Sequence, residues 1–220
     1  MAVVLYVLIG MLDVFAVLAL SLKLYRLPLK AYLLPIAIFC LSSSAISYFI
    51  RVGLSLPWLD LTVLCILTIV FLRYVMSIKL FYSALIAGAG LNAYIVLQFI
   101  VMAGFLTIGG SGESLMYQSQ GIEIQAVQVV SILLACIIAA ALKMFGYGFS
   151  FIPIPPHDFL IKDDLFKYKA LNISAAIALV VVALSLLVLF NVSALLVFPS
   201  ILISFGLSYY FSNRRDLTID

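Results

Sequence analysis

The chain has 220 residues, 66% of them apolar and only 10% charged. A soluble domain runs about 45–50% apolar and about 25% charged, so a soluble globular enzyme is excluded. Gly at 12, Pro at 7 and Cys at 3 exclude collagen, disorder and a disulfide scaffold, and a net charge of +3 is too small for a nucleic-acid footprint.

A single membrane domain remains. A helix needs about 20 mostly apolar residues to cross about 30 Å of hydrocarbon. Seven runs meet that length, near 2–22, 31–50, 57–77, 79–108, 124–146, 170–190 and 193–212. Stretches such as Ala175 to Leu189 are apolar on every face. They therefore read as helices rather than as the alternating segments of a β-barrel. The expected fold is an all-α, seven-helix transmembrane bundle over 1–213, with a tail at 214–220.

The first run lacks a basic leading segment and a small-residue cleavage box, so it reads as a retained span and not a signal peptide. Asp13 sits in its middle, between Leu12 and Val14. A carboxyl at that depth is costly, which makes it a candidate for ligand contact or proton coupling, or a structural hydrogen bond between helices. No basic residue is expected at matching depth in another span. Lys23, Arg26 and Lys30 follow in the first connection.

The second run holds Pro35, expected to kink it, and Ser42, Ser43, Ser44 and Ser47, whose hydroxyls can bond the helix backbone and let helices approach. Cys40, Cys65 and Cys136 lie in apolar runs without C-x-x-C spacing, so they read as small hydrophobes. The fourth run is long and is taken whole despite Gly88, Gly90 and Gly104. Its Ala84-x-x-x-Gly88 pattern, with Gly90, suits close helix packing. It also carries Asn92 and Gln98, with Tyr94 between them, in apolar surroundings.

The connection from Gly109 to Gln125 is rich in Gly, Ser and Gln and contains Glu113 and Glu123. It reads as a solvated connector or as a lid for an extracellular ligand. Gln125 and Gln128 open the fifth run. Asp13, Asn92, Gln98, Gln125, Gln128, Glu113 and Glu123 are thus the candidate ligand-binding residues.

The connection from Gly146 to Lys169 holds the one histidine, His157, behind Pro153, Pro155 and Pro156. Adjacent His157 and Asp158 on extended backbone point to opposite faces, and no nucleophile or third ligand lies near them in sequence. No catalytic residue, metal site or cofactor is expected. Lys162 to Lys167 reads as a short amphipathic piece at headgroup level. Pro199 lies inside the last run.

The connections after odd-numbered spans and the tail hold eleven of the twelve basic residues, and the other side keeps only Arg51, with Asp60, Glu113 and Glu123. Basic loops stay in the cytoplasm. The N-terminus is therefore expected outside and the C-terminus in the cytoplasm, in a multi-pass protein of the plasma membrane.

Seven spans in this orientation, the segment Gly146-Tyr-Gly-Phe-Ser-Phe-Ile-Pro153 and the closing Ser212-Asn-Arg-Arg-Asp216 resemble a known arrangement. It is the N-terminal membrane sensor region of the peptide-responsive histidine kinases of Gram-positive bacteria, the AgrC and ComP type with a GHKL ATPase domain. The resemblance implies a two-component sensor domain that binds a peptide or small amphiphile from outside or from the membrane. It would relay the signal through its last helix to a cytoplasmic partner or fused output domain, and a homodimer fits such a receptor. Kinase activity would lie in a cytoplasmic part that this chain does not include, so no catalytic residue carries over. The tail at 214–220 would then open that output domain. A second function class stays open: a small integral-membrane transport or substrate-capture subunit, working with partner proteins and using Asp13 as its carboxylate.

Overall fold

The computed structural model describes residues 2–107, 122–157, 176 and 194–217. These residues form six α-helices and no strand. They are α1 (Ala2–Leu24), α2 (Leu33–Tyr48), α3 (Pro57–Tyr74), α4 (Leu80–Thr107), α5 (Ile122–Met144) and α6 (Ala194–Asp216). Four segments are long and apolar enough to cross a membrane: Val3–Leu24, Lys30–Gly53, Leu80–Phe105 and Gln125–Met144. The expected span at 170–190 falls almost wholly outside the described residues.

Solvent-facing stripes agree with a bilayer around the bundle. Val4, Leu8 and Leu12 of α1, Leu34, Ile38 and Leu41 of α2, and Leu133 and Ile137 of α5 are all exposed. They recur at three- and four-residue spacing, so each helix turns one apolar face outward. A face that large would aggregate in water, whereas hydrocarbon solvates it.

Helix ends follow local chemistry. α1 closes with a Schellman motif: the Leu27 N–H donates to the Leu22 carbonyl at 2.8 Å and the Arg26 N–H to the Lys23 carbonyl at 3.2 Å. Arg26 takes the left-handed conformation that this cap requires, with φ of 53°. Pro35 stands in the first turn of α2, where the backbone N–H has no helical partner to lose. It therefore starts the helix where a kink was expected. α2 passes at Tyr48 into a π-helical turn, Phe49–Gly53. α4 runs unbroken through its three glycines, about 42 Å at 1.5 Å per residue, and α6 continues through Pro199 to Asp216.

α1 and α4 form the middle of the bundle. α1 packs on α2, α4 and α5, while α4 packs on α1, α3, α5 and α6. One apolar cluster joins Leu18, Leu22, Tyr25, Leu72, Met76 and Leu85, and a second joins Val17, Leu20, Leu91, Tyr94 and Ala135. Cys40 and Cys65 are buried, Cys136 is partly so, and all three are free thiols.

The connection after α5 folds back under the first cluster. The Phe149 N–H donates to the Leu24 carbonyl at 2.8 Å, and the Phe149 and Phe151 rings pack on Tyr25 at 5.6 and 5.9 Å. Gly148 has φ of +119°, and a Cβ there would meet the Lys23 carbonyl oxygen at 2.8 Å, so only glycine permits this approach. Tyr25 is fully buried. Loss of water holds its hydroxyl well above the ordinary phenol range, with Ser212 of α6 beside it working the other way.

Candidate functional site

The opposite end of the bundle, where α1 begins and α2 ends, encloses a cavity of about 400 Å³. Its walls come from α1 to α5. Ligand pockets commonly run about 300–1,000 Å³, mostly apolar with a few convergent polar groups. Ile9, Val14, Val17, Leu64, Leu67 and Leu91 supply the apolar wall, and Asp13, Tyr94, Gln98, Gln125 and Gln128 supply polar groups at depth.

Helical spacing explains the set. Residues three or four apart share a face, which aligns Tyr6, Gly10, Asp13 and Val17 on α1, Leu91, Tyr94 and Gln98 on α4, and Gln125 with Gln128 on α5. The Tyr94 hydroxyl donates to Asp13 Oδ1. Gln128 lies beside the same carboxyl, and Gln98 beside the Tyr94 hydroxyl. One carboxyl thus ties α1 to α4 while staying accessible from the cavity.

A second polar group closes the rim. Arg51, from the π-helical turn, pairs through Nε with Asp60 Oδ2 of α3 at 2.5 Å. Asp60 is buried and the Arg51 side chain is 41% exposed. Both line the cavity, so a basic residue does share it with Asp13, unlike the expectation from span depth. The Tyr6 and Tyr48 rings meet edge to face at 5.4 Å beside them. Deeper in, Ser44 Oγ–H reaches across to the Val7 carbonyl at 2.7 Å, and a Cβ on Gly10 would meet Ser44 Oγ at 2.6 Å. The serine run of α2 therefore brings α1 close. Ser43 is 3% exposed, lines the cavity, and its hydroxyl has no hydrogen-bond partner among the described residues.

Of the candidate residues, Asp13, Gln98, Gln125 and Gln128 meet here. Asn92 does not. It lies two residues from Tyr94, about 200° around the helix, and its Nδ2 donates to Ser204 Oγ of α6 at 3.1 Å. Glu113 lies outside the described residues, and the Glu123 side chain does as well. Sequence reasoning passed over Tyr94, Arg51, Asp60 and Ser43 as site residues. The four-residue step from Tyr94 to Gln98 was the available signal. Arg51 and Asp60 carried none beyond their shared side of the membrane.

His157 takes no part in this cavity. It is 8% exposed at the far end, where the Lys79 N–H donates to Nδ1 at 3.2 Å, and Nε2 lies 2.8 Å from the Pro153 carbonyl. Among the described residues, no three of His, Cys, Asp and Glu gather to hold a metal ion. No protein-family model, curated protein or solved structure matches the chain.

Proposed function

We propose that the chain is a membrane sensor domain that binds a small amphiphile or peptide in the α1–α5 cavity and passes the event inward through α6. The carrying observation is the cavity itself: a carboxyl, its tyrosine and three glutamines converge on an apolar chamber at one end of the bundle. Polar groups at membrane depth are costly to keep and usually functional.

Seven spans, with the N-terminus outside, complete the reading. The described basic residues Lys23, Arg26, Lys30, Arg73, Lys79, Lys143, Arg214 and Arg215 flank helix ends at the end away from the cavity. Basic residues on that side suit the cytoplasm, which turns the cavity outward. His157 lies at the basic end, and α6 returns to it from beside the C-terminal half of α4 through Ile201, Ser204 and Arg215. That placement fits one more crossing between them. A plasma-membrane receptor with a cytoplasmic signalling partner follows, in the manner of the sensor histidine kinases that the chain resembles.

The test uses purified protein in nanodiscs and the lipophilic fraction of spent medium from the source organism. A saturable rise in melting temperature is expected, lost on joint Gln125→Ala and Gln128→Ala replacement. No rise, or a rise that both replacements leave intact, overturns the reading. A substrate-capture subunit is the second reading, favoured by Asp13 facing the cavity. It requires uptake that fails with Asp13→Asn, in a host that also carries the partner proteins.

A further inference from the structure

We propose that the cavity selects a cationic amphiphile, an organic ammonium head on an apolar tail. This deepens the receptor reading and rests on it. The argument begins with the charges. Among the described residues lining the chamber, two carboxylates, Asp13 and Asp60, face one guanidinium, Arg51. Arg51 and Asp60 already neutralise each other at 2.5 Å. Asp13 has no ion-pair partner among the described residues; its hydrogen bond comes from the neutral Tyr94 hydroxyl. Arg51 acts on Asp13 only from across the chamber and is already paired with Asp60. A carboxylate in an apolar chamber without a contacting counter-charge is costly, and a ligand that brings one recovers part of that cost.

An ammonium has three donors and no acceptor, so its head must meet acceptors. A carboxylate offers about four acceptor sites, and the Tyr94 hydroxyl engages one of those of Asp13. The buried Ser43 hydroxyl, without a partner among the described residues, is a further acceptor on the same chamber. It is an observation independent of the acidic residues. Tyr6 and Tyr48 at the rim offer ring faces and hydroxyl oxygens that attract cations. An anionic head would have to face Asp13 and could reach only a guanidinium whose charge Asp60 already neutralises. A bare metal ion would leave the apolar wall of Ile9, Val14, Val17 and Leu64 unused. An alkyl tail covers that wall, and each buried methylene is favourable by about 0.8 kcal/mol.

The experiment uses the full chain in zwitterionic nanodiscs. n-Octylammonium, n-octanol and n-octanoate, which share one tail, are titrated by calorimetry against empty discs. Expected are saturable octylammonium binding about tenfold tighter than octanol, as a hydrogen-bonded charge warrants, and no saturable octanoate binding. Asp13→Asn keeps the size of the side chain and an acceptor for Tyr94, and should bring octylammonium to within about threefold of octanol. Should that variant fail to fold, Ser43→Ala, with an expected several-fold loss for octylammonium alone, takes its place. Equal binding of octanol and octylammonium, or preference for octanoate, overturns the cationic selection. Either result still leaves an occupied chamber, so the receptor reading survives it. Octylammonium that binds saturably but ignores both replacements overturns the assignment to Asp13 and Ser43. If none of the three binds above the disc blank, the selection is overturned, and the receptor reading is then decided by the medium fraction and the glutamine replacements.

Discussion

Both ring nitrogens of His157 are in use. Nδ1 accepts from the Lys79 N–H, so Nε2 carries the proton and donates to the Pro153 carbonyl. The ring stands edge-on to Tyr82 at 5.7 Å, and the His157 N–H donates to the Ser77 carbonyl at 2.9 Å. This residue is a staple between the α3–α4 turn and the proline-rich connection, with no nitrogen left for a metal. His157→Phe should keep the ring packing and orphan two backbone groups, costing about 1–3 kcal/mol of stability. Denaturant unfolding in nanodiscs measures it; an unchanged midpoint would mean that water replaces both bonds. At this scale the sequence was legible by chemistry but not by direction. That His157 lacked a nucleophile or co-ligand was readable, since neighbours in sequence are visible. That Asn92 turns toward α6 and Gln98 into the cavity was not. Both sit in a helix apolar on nearly every face, where no polar stripe marks which side meets which neighbour.

α1 and α4 approach closely where Ser21 faces Gly90. A Cβ on Gly90 would lie 1.8 Å from Ser21 Oγ and 2.8 Å from Ser21 Cα, so the α1 backbone itself would have to move. Ser21 satisfies its own hydroxyl on the Val17 carbonyl at 2.7 Å, which makes it a compact, dry surface for the crossing. Gly90→Ala should therefore destabilise the bundle by about 1–3 kcal/mol, in the range of overpacked cores. Adding Ser21→Gly should restore part of the loss, because it removes the atoms struck first. Thermal unfolding of the two single variants and the double variant gives the coupling, and additive losses would place the strain elsewhere. The glycine was visible in sequence as part of a small-residue face, and its partner was not. Helix existence was legible because long apolar runs leave few alternatives in a bilayer. Helix pairing depends on which small residue meets which, and a chain of nearly uniform hydropathy does not encode that in its periodicity.

Across the whole molecule, the cavity and the α6 terminus occupy opposite ends of the same two helices. Asp13 and Tyr94 look into the chamber from α1 and α4, and the far ends of α1 and α4 carry Leu24 and Tyr82. Leu24 holds the Gly146–Pro153 segment through the Phe149 N–H. α6 holds the same segment from the other side: Asp216 Oδ1 accepts from the Ser150 N–H at 2.7 Å and from the Ser150 hydroxyl at 2.8 Å. Arg215 stacks over Phe151 at 4.9 Å and reaches the Tyr82 hydroxyl at 3.3 Å. The two sequence segments that suggested a receptor thus meet in space. A signal carried by α6 requires two packings of that helix with different affinity for the cavity's occupant, and the Asp216 clamp is where those packings would separate. Asp216→Ala removes both acceptor bonds and leaves the Phe149 bond to α1 untouched. Amide exchange at Ser150 should then rise by about five- to tenfold, the loss of about one hydrogen bond, with Phe149 unchanged. That pattern makes the connection part of the α1 body and α6 the separable element. A joint rise at Phe149 and Ser150 would mean instead that the connection travels with α6. The hinge would then lie at Gly148, against the end of α1.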